Sequence, residues 1–182
     1  MENLTEKTIS KKQIYSGKII DLFVEEVELP NKKTGKREIV KHPGAVAVLA
    51  VTEEGKILMV EQYRKPLEKT IIEIPAGKLE SGENPLECAK RELLEETGYS
   101  CKKLEPIGSF YTSPGFADEL IHLFFTDSLV KQGGQMTDED EFLNVMEVSV
   151  DEARQMVSDE RIHDAKTAYS VLYMELARAA GK

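Results

Sequence analysis

The segment from Asn84 to Gly98 constrains this chain more than any other, because it is written as a helix and then charged against itself. Asn84 can cap, Pro85 suits a first helical position, and Glu87 completes an Asn-x-x-Glu capping box. Gly98 supplies a terminator, which predicts a helix running to about Thr97. At about 100° per residue, Leu86, Ala89 and Leu93 share one face. Glu92, Glu95 and Glu96 share much of the other. Like charges at this spacing repel by a few tenths of a kcal/mol per pair. Glu95 and Glu96 also fall in the last turn, where the helix dipole disfavours anions. A helix built for stability alone would avoid this arrangement. Clustered carboxylates suit a hard cation such as Mg²⁺ or Mn²⁺, which takes oxygen ligands. A solvated acidic face is the other reading of the helix taken alone.

The rest of the chain reads as a sheet that such a helix can cover. Ala45–Val51 is continuously apolar, which predicts a strand covered on both faces. Glu53-Glu54-Gly55 turns it back into a strand at Lys56–Arg64, and Thr70–Pro75 follows as another. A glycine loop, Ala76–Glu83, leads to the helix. Further strands are expected at Leu104–Tyr111, Ile121–Asp127 and Asn144–Ser149, and helices at Val150–Ser158 and Lys166–Ala179. An acidic loop, 135–141, precedes the last strand. Residues 8–41 read as short strands with turns. Lys18–Leu29 and Arg37–Val40 form an antiparallel hairpin around Pro30–Gly35. The expected architecture is α/β, with helices on a mixed sheet and an N-terminal β appendage. The boundary is placed after residue 41, giving units 1–41 and 42–182.

Composition removes whole classes of function. With 33 acidic against 24 basic residues among 182, the charge balance argues against a general nucleic-acid binder, which needs a basic face, while leaving room for a local basic patch. Its longest apolar run, Ala45–Val51, is far short of the roughly 18 residues needed to span a bilayer. Met1–Lys7 has no apolar core of a secretory signal. Cys88 and Cys101 form no CxxC pair, so two free thiols in a reducing cytoplasm are expected. His42, His122 and His163 are too scattered for a zinc site.

The spacing around the helix is more specific than the helix. Gly77 is followed after five residues by Glu83, then after seven by Arg91-Glu92-Leu93-Leu94-Glu95-Glu96-Thr97-Gly98-Tyr99. This resembles the Nudix box, G-x5-E-x7-R-E-U-x-E-E-x-G-U, with U a bulky aliphatic. Its seven fixed positions would arise by chance about once in 10⁹ starting points. Tyr99 departs mildly at the last place, being bulky and mostly apolar. The resemblance to Nudix hydrolases implies a Nudix-type α/β/α sandwich that cleaves a nucleoside diphosphate linked to another group. It implies Glu92 and Glu96 as metal ligands, with Glu95 beside them. The Ala76 carbonyl is implied as a further ligand, and Arg91 as the group that orients the carboxylates. Mg²⁺ is the expected cofactor, with Mn²⁺ an alternative.

Three features narrow the resemblance to the ADP-ribose pyrophosphatase subgroup. Pro114, in Ser113-Pro114-Gly115, stands 15 residues after Tyr99. The acidic loop Asp138–Glu141 matches the position of a base-bearing loop, which implies Glu139 as catalytic base and Glu141 on the metal side, with that register open. The N-terminal hairpin matches an appendage shared between two subunits, which implies a homodimer. Arg37 and Arg64 are then candidates for phosphate or base, since a guanidinium pairs with oxyanions or stacks. Glu73 is a candidate polar contact. Tyr15 and Phe23 are among the aromatics available to stack a base. The expected reaction is hydrolysis of ADP-ribose to AMP and ribose 5-phosphate. The alternatives are another nucleoside diphosphate sugar, or a non-catalytic module that binds ADP-ribose. The box is intact here, which favours catalysis.

Overall fold

The computed structural model describes residues 4–135 and 142–181, and the chain divides into two compact units. The first comprises residues 1–44 and 110–121, and the second residues 45–109 and 122–182.

The first unit is an antiparallel sheet of three strands in the order β1 (Lys7–Ser16), β2 (Asp21–Glu28) and β3 (Thr34–Lys41). The hairpin expected from sequence is its β2–β3 half. Between them Asn31 Oδ1 accepts the Lys33 N–H at 3.0 Å, an Asx turn that leaves Lys32 in the left-handed region at φ 66°. The register places Glu25 between Lys11 and Arg37 on the neighbouring strands. Opposite charges at facing positions stabilise such a pairing. β1 is exposed along its whole length. The 110–121 segment is tied to β3: the Val40 N–H donates to the Phe116 carbonyl at 2.8 Å, and Lys41 pairs with Asp118 at 2.7 Å.

The second unit is built around β4 (Ala45–Val51), every residue of which is buried. The strand order is β12–β5–β4–β10–β9, from β12 (Leu143–Ser149), β5 (Lys56–Arg64), β10 (Leu120–Thr126) and β9 (Glu105–Tyr111). β6 (Lys69–Glu73) pairs with β5, and β7 (Ala76–Lys78) pairs with β4. The stretch read as a glycine loop therefore begins as a short strand. A separate two-stranded ribbon joins β8 (Tyr99–Cys101) to β11 (Leu129–Lys131).

Alternation along β4 sends Val46, Val48 and Ala50 to one side, where they pack with Ala89 and Leu93 of α1 (Pro85–Thr97). The opposite side, including Ala47 and Leu49, is equally buried. α2 (Val150–Ser158) packs on β5, β12 and α3 (Ala165–Ala179). The result is the α/β sandwich with a mixed sheet that the strand pattern implies. Tyr99, the one departure from the box, packs on the edge of the α1 core cluster, so its ring serves as the bulky apolar group that place requires.

Candidate active site

α1 begins where the sequence places it. Asn84 Oδ1 accepts the Leu86 N–H at 2.9 Å, with Pro85 in the first turn. Glu87 turns forward to Lys90 at 2.8 Å, so the cap rests on Asn84. Gly98 ends the helix at φ 73°, a conformation that side chains rarely adopt. Its Cα also faces the Gly133 carbonyl so closely that a Cβ there would collide with backbone.

Arg91 sits at the centre of the acidic face. Its Nε and Nη2 each bond one oxygen of Glu83 at 3.1 Å, a two-point grip. Its Nη1 donates to Glu92 at 2.8 Å and to Glu95 at 3.0 Å. The Arg91 bond and the Glu80 N–H hold the Glu83 carboxyl down at about 2. The same contacts, Glu83 foremost, raise the guanidinium well above its ordinary value. Arg91 therefore contacts three carboxylates yet offsets the charge of only one.

Glu96 is not on a solvated face. It is 1% exposed and accepts the Ala76 N–H at 3.0 Å. The contact from residue 76 is thus an N–H that orients the carboxylate, in addition to the carbonyl role implied by the motif. Glu92 lies directly over Gly77: a Cβ on that residue would overlap the Glu92 Cδ and both carboxylate oxygens. The glycine leaves the space that the carboxylate fills. Among the described residues, no group of three or more His, Cys, Asp or Glu side chains converges as a ready metal site. Glu139 and Glu141 lie outside the described residues. The set Glu92, Glu95 and Glu96 with one guanidinium still fits a divalent cation, because its donors are oxygens and its charge is in excess.

Arg64 and Glu73 meet each other. Arg64 Nε donates to Glu73 Oε2 at 2.6 Å. Burial works against the charge of Arg64, but the Glu73 bond and the fields of Glu73, Glu96 and Asp164 outweigh it and raise its pKa. The second Glu73 oxygen is taken by the buried Lys166, which also pairs with Asp164 at 3.1 Å. Lys166, Asp164 and Thr167 are absent from the sequence reading. The signal that could have found them is Asp164, which caps α3 by accepting the Thr167 N–H.

Arg37 and Pro114 both belong to the first unit, where they line a groove of about 340 Å³ with Glu38, Ile39 and Phe116. Arg37 is bound there by Glu6, one of the two bonds being 2.9 Å. Phe116 is 58% exposed, and its ring is an aromatic candidate that the sequence reading did not single out. Both cysteines are free. Burial, the Glu83 contact and nearby anions push the Cys88 thiol up to about 12, which keeps it protonated near neutral pH.

Residues 41–169 match the model of the NUDIX domain. The chain is a Nudix family member. Residues 6–40 match the nucleoside diphosphate sugar hydrolase N-terminal domain. The chain is 62% identical to a protein named ADP-ribose pyrophosphatase from Bacillus subtilis, over 98% of this chain and 97% of that one. It is 58% identical to a protein named methanol dehydrogenase activator from Bacillus methanolicus, over 96% and 95% of the two chains. It is 34% identical to a GDP-mannose pyrophosphatase from Yersinia enterocolitica, over 73% of each. A solved structure titled as an ADP compounds hydrolase superposes with a TM-score of 0.85 at 16% identity, covering 100% of this chain and 99% of that one, which bears on the fold. Nudix hydrolases generally need a divalent metal, and nucleotide sugars fit the family. Among the described residues no helix is long and apolar enough to cross a membrane.

Proposed function

We propose that this Nudix hydrolase cleaves the pyrophosphate of ADP-ribose to AMP and ribose 5-phosphate, with Mg²⁺ as its working metal. The observation that carries the reading is the seat of Glu92 over Gly77, beside Glu95 and Glu96, with Arg91 setting their orientation. Glu92, Glu96, the Ala76 carbonyl and Glu141 would hold the metal. Bound there, the cation would neutralise pyrophosphate charge and lower the pKa of a water. Arg91 keeps the carboxylates aimed while one guanidinium leaves their excess charge available. Glu139 takes the proton of the attacking water, whose oxygen joins phosphorus as the bridging P–O bond breaks. Arg64 contacts the phosphates through its Nη groups. Arg37 and Pro114 are the further substrate-binding candidates. The name of the Bacillus subtilis relative and its coverage support the choice of ADP-ribose.

The reading also treats residues 1–41 as an appendage to the hydrolase unit 42–182, with a role in dimerisation and substrate binding. The exposure of Ile9, Ile14 and Tyr15 along β1 supports a homodimer. The two free thiols support a cytoplasmic setting. A second substrate, another nucleoside diphosphate sugar, is favoured by the N-terminal match and by the GDP-mannose relative.

Glu96→Gln tests the reading, since the amide oxygen can still accept the Ala76 N–H. Turnover of ADP-ribose falls at least about a hundredfold with the melting temperature retained. Unchanged turnover in saturating Mg²⁺ removes Glu96 from the mechanism.

A further inference from the structure

Four charged groups in the second unit form a chain, of which the reaction above uses only the Arg64 end. Lys166, 8% exposed by its side chain, bonds Glu73 and Asp164, and Glu73, 4% exposed, bonds Arg64. A buried ion pair is weak evidence of stabilisation, because two apolar residues of similar volume often do as well. The chain has one solvent-facing end. Arg64 is 39% exposed by its side chain, and among the described residues its only hydrogen bond is from Nε to Glu73. Its Nη groups are left to face a ligand. The division of labour on Glu73 permits this. One carboxylate oxygen is committed to Lys166 and the other to Arg64 Nε. A carboxylate with both oxygens available prefers the two-point grip on guanidinium, which would take an Nη group as well.

The same helix end grips the adjoining backbone. Thr167 Oγ1 accepts the Ile74 N–H at 2.9 Å and donates to Asp164 at 2.6 Å. Two residues later, the Ala76 N–H holds Glu96. The α3 cap residue Asp164, with Lys166 and Thr167, thus fixes Glu73 and Ile74, the root of the segment that supports the acidic site.

We propose that Lys166 is a positioning residue for phosphate binding: it occupies Glu73 so that Arg64 is anchored by Nε alone and presents both Nη groups to the substrate pyrophosphate. The proposal rests on the reading that Arg64 binds ADP-ribose. Lys166 touches no substrate and acts through Arg64.

The test is KM and kcat for ADP-ribose in saturating Mg²⁺, with melting temperatures, for single and double variants. Lys166→Met raises KM about tenfold, the scale of one charge-assisted hydrogen bond, and leaves kcat within about threefold. Adding Glu73→Gln removes the anion that would recapture Arg64, and KM returns to within about threefold of native. Lys166→Arg keeps the native KM. In an Arg64→Ala background, Lys166→Met adds nothing further to KM. Lys166→Gln, which keeps a polar neutral group, carries the same expectation should the methionine variant not fold. The proposal is overturned by an unchanged KM in folded Lys166→Met or Lys166→Gln, by effects that multiply with Arg64→Ala, or by failure of Glu73→Gln to restore KM. Failure of the underlying reading looks different: native enzyme does not turn over ADP-ribose, or Arg64→Ala alone leaves KM unchanged.

Discussion

Placing a single methyl group on residue 77 tests whether the Glu92 seat matters. A Cβ at Gly77 would meet the Glu92 Cδ and both oxygens well inside the 3.0 Å that real Cβ atoms respect. The carboxylate must therefore retreat by more than about 1 Å, a misplacement that costs on the order of a hundredfold in a positioned reaction. The obstacle is the far end of a flexible side chain, so the backbone need not move. The variant gains a little from its less flexible unfolded chain, about 0.4–1 kcal/mol if the strand accepts Ala. Gly77→Ala is thus expected to melt within a few degrees of native while losing about a hundredfold in metal-dependent turnover of ADP-ribose. Part of the loss is recovered at high Mg²⁺ if Glu92 binds metal. AMP release across a Mg²⁺ titration, with a thermal melt beside it, measures both. Turnover within about threefold of native at every Mg²⁺ concentration would show that the seat of Glu92 does not matter to the reaction. A parallel loss of folding would place the role of Gly77 in the scaffold.

Two further outcomes follow from the same helix. Glu83 has a folded pKa of about 2, against 4.5 for the free group. It stabilises the fold above pH 4.5, and that contribution, on the order of 1 kcal/mol after solvent screening, is lost as pH falls from 4.5 toward 2. Urea unfolding from pH 5 to pH 2.5 should show a steeper loss for native protein than for Glu83→Gln; identical slopes would remove the Glu83–Arg91 pair from acid stability. Asn84→Ala removes the α1 cap at a cost of about 1 kcal/mol, which lowers the melting temperature by roughly 2–4 °C. An unchanged melt would mean that Pro85 and packing start the helix unaided.

What the sequence disclosed was local. The cap, the terminating glycine and the apolar stripe of α1 lie within fifteen residues, and the continuous apolar run of β4 announces cover on both faces. What it concealed depended on partners far along the chain. β1 carries no clean alternation, because its register with β2 shifts between Thr8 and Ser10 and again between Gln13 and Tyr15. Its exposure on both faces also gives it no apolar side to read. Arg64 and Glu73 were legible as candidates, but their bond to each other, and through Glu73 to Lys166 93 residues away, was not. The carboxylates of α1 were legible, but the burial of Glu96 required β7 to bring the Ala76 N–H over it. The acidic loop keeps its assignments from sequence, since Glu139 and Glu141 are outside the described residues.

Substrate and metal dependence are both read from one measurement. Native protein is assayed for kcat/KM on ADP-ribose, ADP-glucose, GDP-mannose, UDP-glucose and a nucleoside triphosphate, with Mg²⁺ and after chelation. ADP-ribose is expected to be preferred at least about tenfold, with AMP and ribose 5-phosphate as the products, and chelation to abolish turnover while leaving the fold intact. Equal turnover of the hexose conjugates would contradict the substrate, and turnover that survives chelation would contradict the site.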